Sequence, residues 1–363
     1  MRPASSETKE ARMIVRRVIH RRRSFVAVGT VVGLLVLGAC SSGQEQSSGG
    51  ASGGSAGRSS AGVAGPLTIA YLQKQGDQQY FIDEANGAKA AAASLGNVSI
   101  KVVNLGTDAN KAISEVESAI AQKVSGIVIV VPDQQIGPQV IGAAKQANIP
   151  IMASDDVIKD GSGTEAAFSG FDGTAMGALV GKEAARLYQA SGWAAADTKI
   201  LSASKQDLTV CGDRVSAAKK AFAATVPNGP AVVEIGTDNS ATNAQDKAGA
   251  VVTANAGVKH WVVWGCNDES ETGVVTALQN SGVAPADING VGLGAYLTCK
   301  DWAARQSTGN KSALFISGVE VGKAAVTSMV ALLREGTPLP PKSIAKTEIV
   351  DATNWQAKGV VCT

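Results

Sequence analysis

From Leu67 onward, short apolar runs alternate with longer segments of helical character. LTIAYL (67–72), VSIKVVNLG (98–106), GIVIVV (126–131), IPIMAS (149–154) and AAFSGF (166–171) come first. KILSAS (199–204), AVVEIGT (231–237), HWVVWGC (260–266), GVGLGA (290–295) and ALFISGV (313–319) follow. Ala/Lys/Glu-rich stretches such as DEANGAKAAAASLG (83–96) and GALVGKEAARLYQASG (177–192) lie between them. Continuous β-branched runs separated by helices of ten to fifteen residues predict βαβ units, with parallel sheets covered on both faces.

The pattern occurs twice. VSGIVIVVPD (124–133) and VKHWVVWGCND (258–268) each occupy the third strand of a β/α series, and ANIPIMASDD and ADINGVGLGA each stand at the fourth. About 298 residues follow position 65, more than one core usually supports. The expectation is an α/β protein with two Rossmann-like doubly wound parallel-sheet domains. In such sheets ligands bind beyond the carboxyl ends of the strands. Two sheets facing each other by those ends enclose one cleft, so residues just after the strands are the candidates.

Those positions carry hydrogen-bonding and aromatic side chains. The first strand is followed by Lys74, Asp77, Gln78, Tyr80 and Phe81, the fourth by Asp155 and Asp156, and AAFSGF by Asp172, with Phe171 closing the run. The second half offers Arg214 after KILSAS, and Cys266, Asn267 and Asp268 after HWVVWGC. A carboxylate accepts from two vicinal hydroxyls, a guanidinium donates in a fork, and a carboxamide does both. With aromatic rings for C–H faces, this set suits a neutral polyhydroxyl ligand.

The amino-terminal pattern is different. Residues 1–23 hold eight Lys/Arg against two acids, and 25–39 are uncharged and largely apolar, as in an export signal. A permanent membrane span needs roughly 20 apolar residues. Leu37-Gly38-Ala39-Cys40 resembles the bacterial lipobox, which implies cleavage before Cys40 and acylation of its thiol. Of the 25 residues at 41–65, eight are Ser and eight are Gly, the composition of a flexible tether. The expectation is an exported protein held by lipid at the outer face of the cytoplasmic membrane.

Charge and cysteine use narrow the function. The chain carries 33 basic and 31 acidic residues, but without 1–39 it has 25 basic against 29 acidic, about −4 net. Nucleic acid wants a positive face, so a nucleic-acid partner is excluded. Four cysteines follow Cys40, namely Cys211, Cys266, Cys299 and Cys362. They form no CxxC pair, and His260 is the one histidine beyond the signal, so neither a zinc site nor any other metal or cofactor is expected. An even count in an exported protein favours disulfides, in any of three connectivities. An enzyme reading rests on Cys266 with His260, but six residues of strand separate these by roughly 20 Å. GVGLG (290–294) ends a fourth strand instead of opening a first, unlike a nucleotide loop.

QKQGDQQYF (73–81), VVPDQQIG (130–137), IPIMASDD (149–156), VKHWVVWGCND (258–268) and GVVTALQNSGVAPADINGVGLGA (273–295) resemble, in order, the arabinose-binding members of the type I periplasmic sugar-binding family that feeds ABC importers. The resemblance runs across residues 66–363. It implies a monomer whose two domains, 66–171 plus 316–346 and 172–315 plus 347–363, are joined by a three-segment hinge near 171–173, 315–319 and 346–350. It implies a monosaccharide or sugar-alcohol ligand delivered to a permease with its ATPase, or presented to a membrane sensor, without catalysis. Lys74, Asp155, Asp156, Arg214 and Asn267 match residues that hydrogen-bond the sugar. Tyr80 and Phe81 match an aromatic pair, Phe171 an apolar contact, and Cys266 a methionine beside the ligand. Gln78 stands where an acid is expected, and Gly294 and Leu297 replace an Asn and an Asp, which argues against a simple copy of arabinose binding. The strand order so implied sets Cys211 beside Cys266 and leaves Cys299 for Cys362.

Overall fold

The computed structural model describes residues 65–362; the signal segment 1–39, Cys40 and the tether up to position 64 lie outside the described residues. The elements in chain order are β1 (Leu67–Gln73), α1 (Gln79–Leu95), β2 (Val98–Asn104), α2 (Ala109–Ala121), β3 (Gly126–Ile129), α3 (Gly137–Gln146), β4 (Ile151–Ser154) and β5 (Phe168–Gly170). Then come α4 (Gly173–Ser191), β6 (Thr198–Ser204), α5 (Thr209–Thr225), β7 (Ala231–Gly236), α6 (Ala241–Ala254), β8 (His260–Gly265), α7 (Asp268–Asn280), β9 (Ile288–Gly294), α8 (Thr298–Ala303) and β10 (Asn310–Phe315). The chain ends with α9 (Gly318–Glu335), β11 (Lys342–Ile344) and β12 (Glu348–Asp351).

The strands form two six-stranded sheets, ordered β11-β5-β4-β3-β1-β2 and β12-β10-β9-β8-β6-β7. Every pairing is parallel except that of β12 with β10. Alternation along β1 explains the layering. Ile69 and Tyr71 face α1 and α9 with Ala88, Val326 and Met329, whereas Ala70 and Leu72 face α2 and α3 with Ala112, Val116 and Val140. The second sheet repeats this. Ile200, Val262 and Trp264 pack under α4 and α5, and Leu201, Trp261 and Val263 under α6 and α7.

The chain passes between the sheets three times: from β5 to α4, from β10 to α9, and from β11 to β12. The carboxyl ends of β1 and β4 therefore face those of β6, β8 and β9. Tyr80, Phe81 and Phe171 share one apolar cluster with Trp264, Leu293, Tyr296 and Ile316, so aromatic packing continues from one lobe into the other. Disulfides join Cys211 to Cys266 and Cys299 to Cys362. The short α8, β11 and β12 have no counterpart in the sequence pattern: α8 is under two turns, and β11 and β12 are partly exposed edge strands without a continuous apolar run.

Candidate functional site

On the first lobe, β1 delivers Lys74 and β4 delivers Asp155 and Asp156, all buried. The Lys74 ammonium pairs with Asp156 Oδ2 and lies 5.6 Å from the centre of the Phe81 ring. Asp156 Oδ1 is buried with no donor. Asp155 adopts φ 59°, the left-handed conformation that Asp tolerates better than most residues, and its amide donates to Ser169 O at 2.8 Å. Tyr80, in the first turn of α1, donates its hydroxyl to Asp155 Oδ1 at 3.1 Å. Burial, then Asp156, push the Asp155 carboxyl above its ordinary range; Arg214, Lys74 and the Tyr80 hydroxyl pull it back. Behind this layer Glu84 accepts from Tyr71 at 2.8 Å and from Ser154. Burial, then the nearby Asp155, raise Glu84 to about 8.

On the second lobe the Cys211–Cys266 disulfide ties the first turn of α5 to the end of β8, with Cα atoms 4.9 Å apart. One turn further along α5, Arg214 donates Nη1 to Cys266 O at 3.0 Å, while its Nε is buried without an acceptor. Asn267 caps α7, accepting from Ser270 N at 3.1 Å. Its amide donates to Asn239 O at 3.0 Å and to Glu269 Oε2 at 2.7 Å, so both of its hydrogens are used and only acceptor capacity is left. Glu269 Oε2 also accepts from the Tyr296 hydroxyl at 2.9 Å. Burial, then Asp268, raise Glu269 to about 7.

These groups enclose one small cavity, of about 40 Å³. Lys74, Gln78, Tyr80, Phe81 and Asp155 line it from the first lobe and Arg214, Asn239, Asn267, Leu293 and Tyr296 from the second. Gln78 reaches across and donates to Asn239 O at 3.4 Å.

Other candidates stand elsewhere; Asp172 caps α4. Asp268 is spent on structure: fully buried, it accepts from Leu297 N (2.7 Å), Thr298 N (3.1 Å) and Thr298 Oγ1 (2.9 Å), which fixes the turn after β9. Cys266 presents its backbone carbonyl to Arg214 and buries its sulfur in the disulfide. Asp156 stands behind Lys74, and Phe171 lines a neighbouring groove. Several wall residues were not singled out from the sequence, Asn239 and Leu293 among them. Asn239 follows β7, where the strand-end rule points, but the loop GTDNS reads as an ordinary turn. Leu293 looks like plain core. Tyr296 depends on Gly294, whose φ of 143° lets the ring fold back; a Cβ there would meet Tyr296 Cε1 at 2.3 Å.

Two doubly wound lobes, crossed three times by the chain and meeting over one polar and aromatic cavity, define a two-lobed ligand-binding protein. The chain matches the family described as periplasmic binding protein domain over residues 69–338, and belongs to it. It is 27% identical over 299 residues to an ABC transporter L-arabinose-binding periplasmic protein of Azospirillum brasilense, covering 80% of this chain and 88% of that one. Among solved structures, the periplasmic binding protein component of the arabinose ABC transporter of Shewanella sp. ANA-3, bound to α- and β-L-arabinofuranose, is 20% identical with a TM-score of 0.71, covering 80% of this chain and 94% of the other. An ABC transporter solute-binding protein of Mycobacterium smegmatis with bound glycerol is 22% identical with a TM-score of 0.69, covering 81% and 96%.

Proposed function

We propose that this is the exported solute-binding component of an ABC importer, capturing a small neutral carbohydrate, a pentose or short sugar alcohol, between its lobes. The observation that carries the reading is one cavity with Asp155 and Lys74 on one wall and, on the other, Arg214, whose buried Nε has no acceptor. A carboxylate accepts and a guanidinium or ammonium donates, and a hydroxyl does both. The names of the relatives support the sugar class, and the polyhydroxyl character of their bound molecules agrees with this wall chemistry.

In this reading Asp155 accepts from ligand hydroxyls, Arg214 and Lys74 donate, and Tyr80, Phe81 and Tyr296 cover C–H faces. Residues 66–171 with 316–346 and 172–315 with 347–363 move as the two rigid units about the three crossings. Ligand favours the closed form by its differential affinity for it, and a permease reverses closure. Acylated Cys40 holds the protein at the membrane, and the Ser/Gly tether lets it swing.

Thermal unfolding of the purified mature chain against pentoses, hexoses and four- to six-carbon alditols tests this. Ligand at 1,000 times its Kd adds about 4.1 kcal/mol, enough for a shift of several degrees. A shift confined to one stereochemical series is expected. No shift with any neutral carbohydrate would remove the proposal.

A further inference from the structure

The cleft does not end at the inner cavity. A groove of about 730 Å³ continues it toward β4, β5 and β11, with Asp155 and Val210 lining both spaces. One wall comes from Gln134 and the loop after β4, and the other from the first turns of α4 and α5. The groove is open although Gln78 already reaches Asn239 across the lobes. Its volume falls within the roughly 300–1,000 Å³ of small-molecule sites.

The lining has a definite chemistry. Phe168 and Phe171, both buried, supply an apolar floor. Gln134 is fixed by donating Nε2 to Val157 O at 2.7 Å, and its Oε1 is buried with no donor. That atom calls for a hydroxyl. Asp155, Asp172 and Asp213 place carboxylates along the groove, and its two lysines, Lys159 and Lys342, are both paired with Glu165, at 3.8 and 3.0 Å. A phosphate or uronate in this space would meet five carboxylates, Asp155, Asp160, Glu165, Asp172 and Asp213, against two lysines, whereas a neutral hydroxylated ring would meet an aromatic floor and an unpaired acceptor.

We propose that the cleft takes a glycoside or disaccharide, with one ring between the inner walls, which part to admit it, and a second neutral sugar unit in the already open groove past Asp155. This rests on the carbohydrate reading above and extends it from one ring to two.

The test is calorimetric titration of the mature chain with the monosaccharide giving the largest thermal shift, its methyl glycoside, and disaccharides that carry it. Two variants accompany the wild type. Thr174→Trp fills the groove from an exposed position at the start of α4, outside the inner cavity, and Gln134→Leu removes the unpaired acceptor. The wild type is expected to bind a disaccharide about tenfold more tightly than the monosaccharide, equivalent to about 1.4 kcal/mol. Thr174→Trp should abolish that gain and leave monosaccharide affinity within about twofold, with Gln134→Leu between the two. An unchanged melting temperature in each variant confirms folding. Monosaccharide binding with glycosides rejected or no tighter overturns the two-ring proposal and leaves the carbohydrate reading standing. Tighter binding of amino sugars or uronates than of neutral disaccharides also overturns it. Absence of binding by every sugar removes both readings.

Discussion

Arg214 has one hydrogen bond to protein, through Nη1 to the Cys266 carbonyl, and a buried Nε with none. Arg214→Lys keeps the charge but loses the planar fork, and a point charge cannot serve carbonyl and ligand together. A hydrogen bond involving a charged group contributes about 1.5–3 kcal/mol, so affinity should fall roughly 10- to 150-fold. The melting temperature without ligand should barely move. Titration calorimetry reads the first and a thermal scan the second; undiminished affinity would place Arg214 outside the binding set. Residues of this kind were legible because the strand-end rule locates them: Lys74, Asp155, Arg214 and Asn267 all follow strands and stand at the cleft. What sequence could not show is how each side chain is spent. Asn267 and Asp268 are adjacent and equally polar, yet one borders the cavity while the other holds a turn. That division depends on hydrogen bonds formed only once the turn at 294–298 is folded.

Helix contacts near the crossings depend on glycine. In the second lobe α4 lies against α5 so closely that a Cβ on Gly181 would sit 2.1 Å from Ala218 O. Gly181→Ala must push the helices apart, an overpacking cost of about 1–3 kcal/mol. Gly142 in α3 meets nothing within 4 Å, so Gly142→Ala should stabilise by about 0.4–1 kcal/mol through the unfolded chain. Denaturant unfolding of both variants checks the contrast, and equal effects of the same sign would show that backbone entropy, not helix approach, governs both sites. The strands and long helices were readable because burial on both sheet faces leaves unbroken apolar runs. The close helix pairs were not, since a glycine inside a helix carries no hydrophobic period. Nor were α8, a helix of under two turns, and β11 and β12, edge strands whose exposed residues break any apolar run.

Proton uptake joins the two lobes. Glu269 of the second lobe is raised to about 7 mainly by burial, then by Asp268, and more weakly by Asp77 on the first lobe. The Tyr296 hydroxyl and a backbone amide act in the opposite sense. If the lobes part, Asp77 recedes and water reaches Glu269, whose carboxyl then titrates nearer its ordinary 4.5. Between those values the closed form binds more protons than the open one, so closure is favoured at lower pH and weakens as pH rises through 7. Global stability has the same sign: Glu84, at about 8, and Glu269 both favour the folded state while protonated, and that advantage is lost as pH climbs from 4.5 through 7 to 8. Affinity for a neutral ligand should therefore weaken a few-fold between pH 6 and 8.5. Glu269→Gln keeps an oxygen for Tyr296 and Asn267 but cannot ionise, so its affinity should be nearly flat over that range. Calorimetry of wild type and variant across the range decides the matter. Parallel slopes would move the titrating group away from Glu269, toward the Glu84–Asp155 side of the first lobe, and would end the case for a proton-linked closure at this wall.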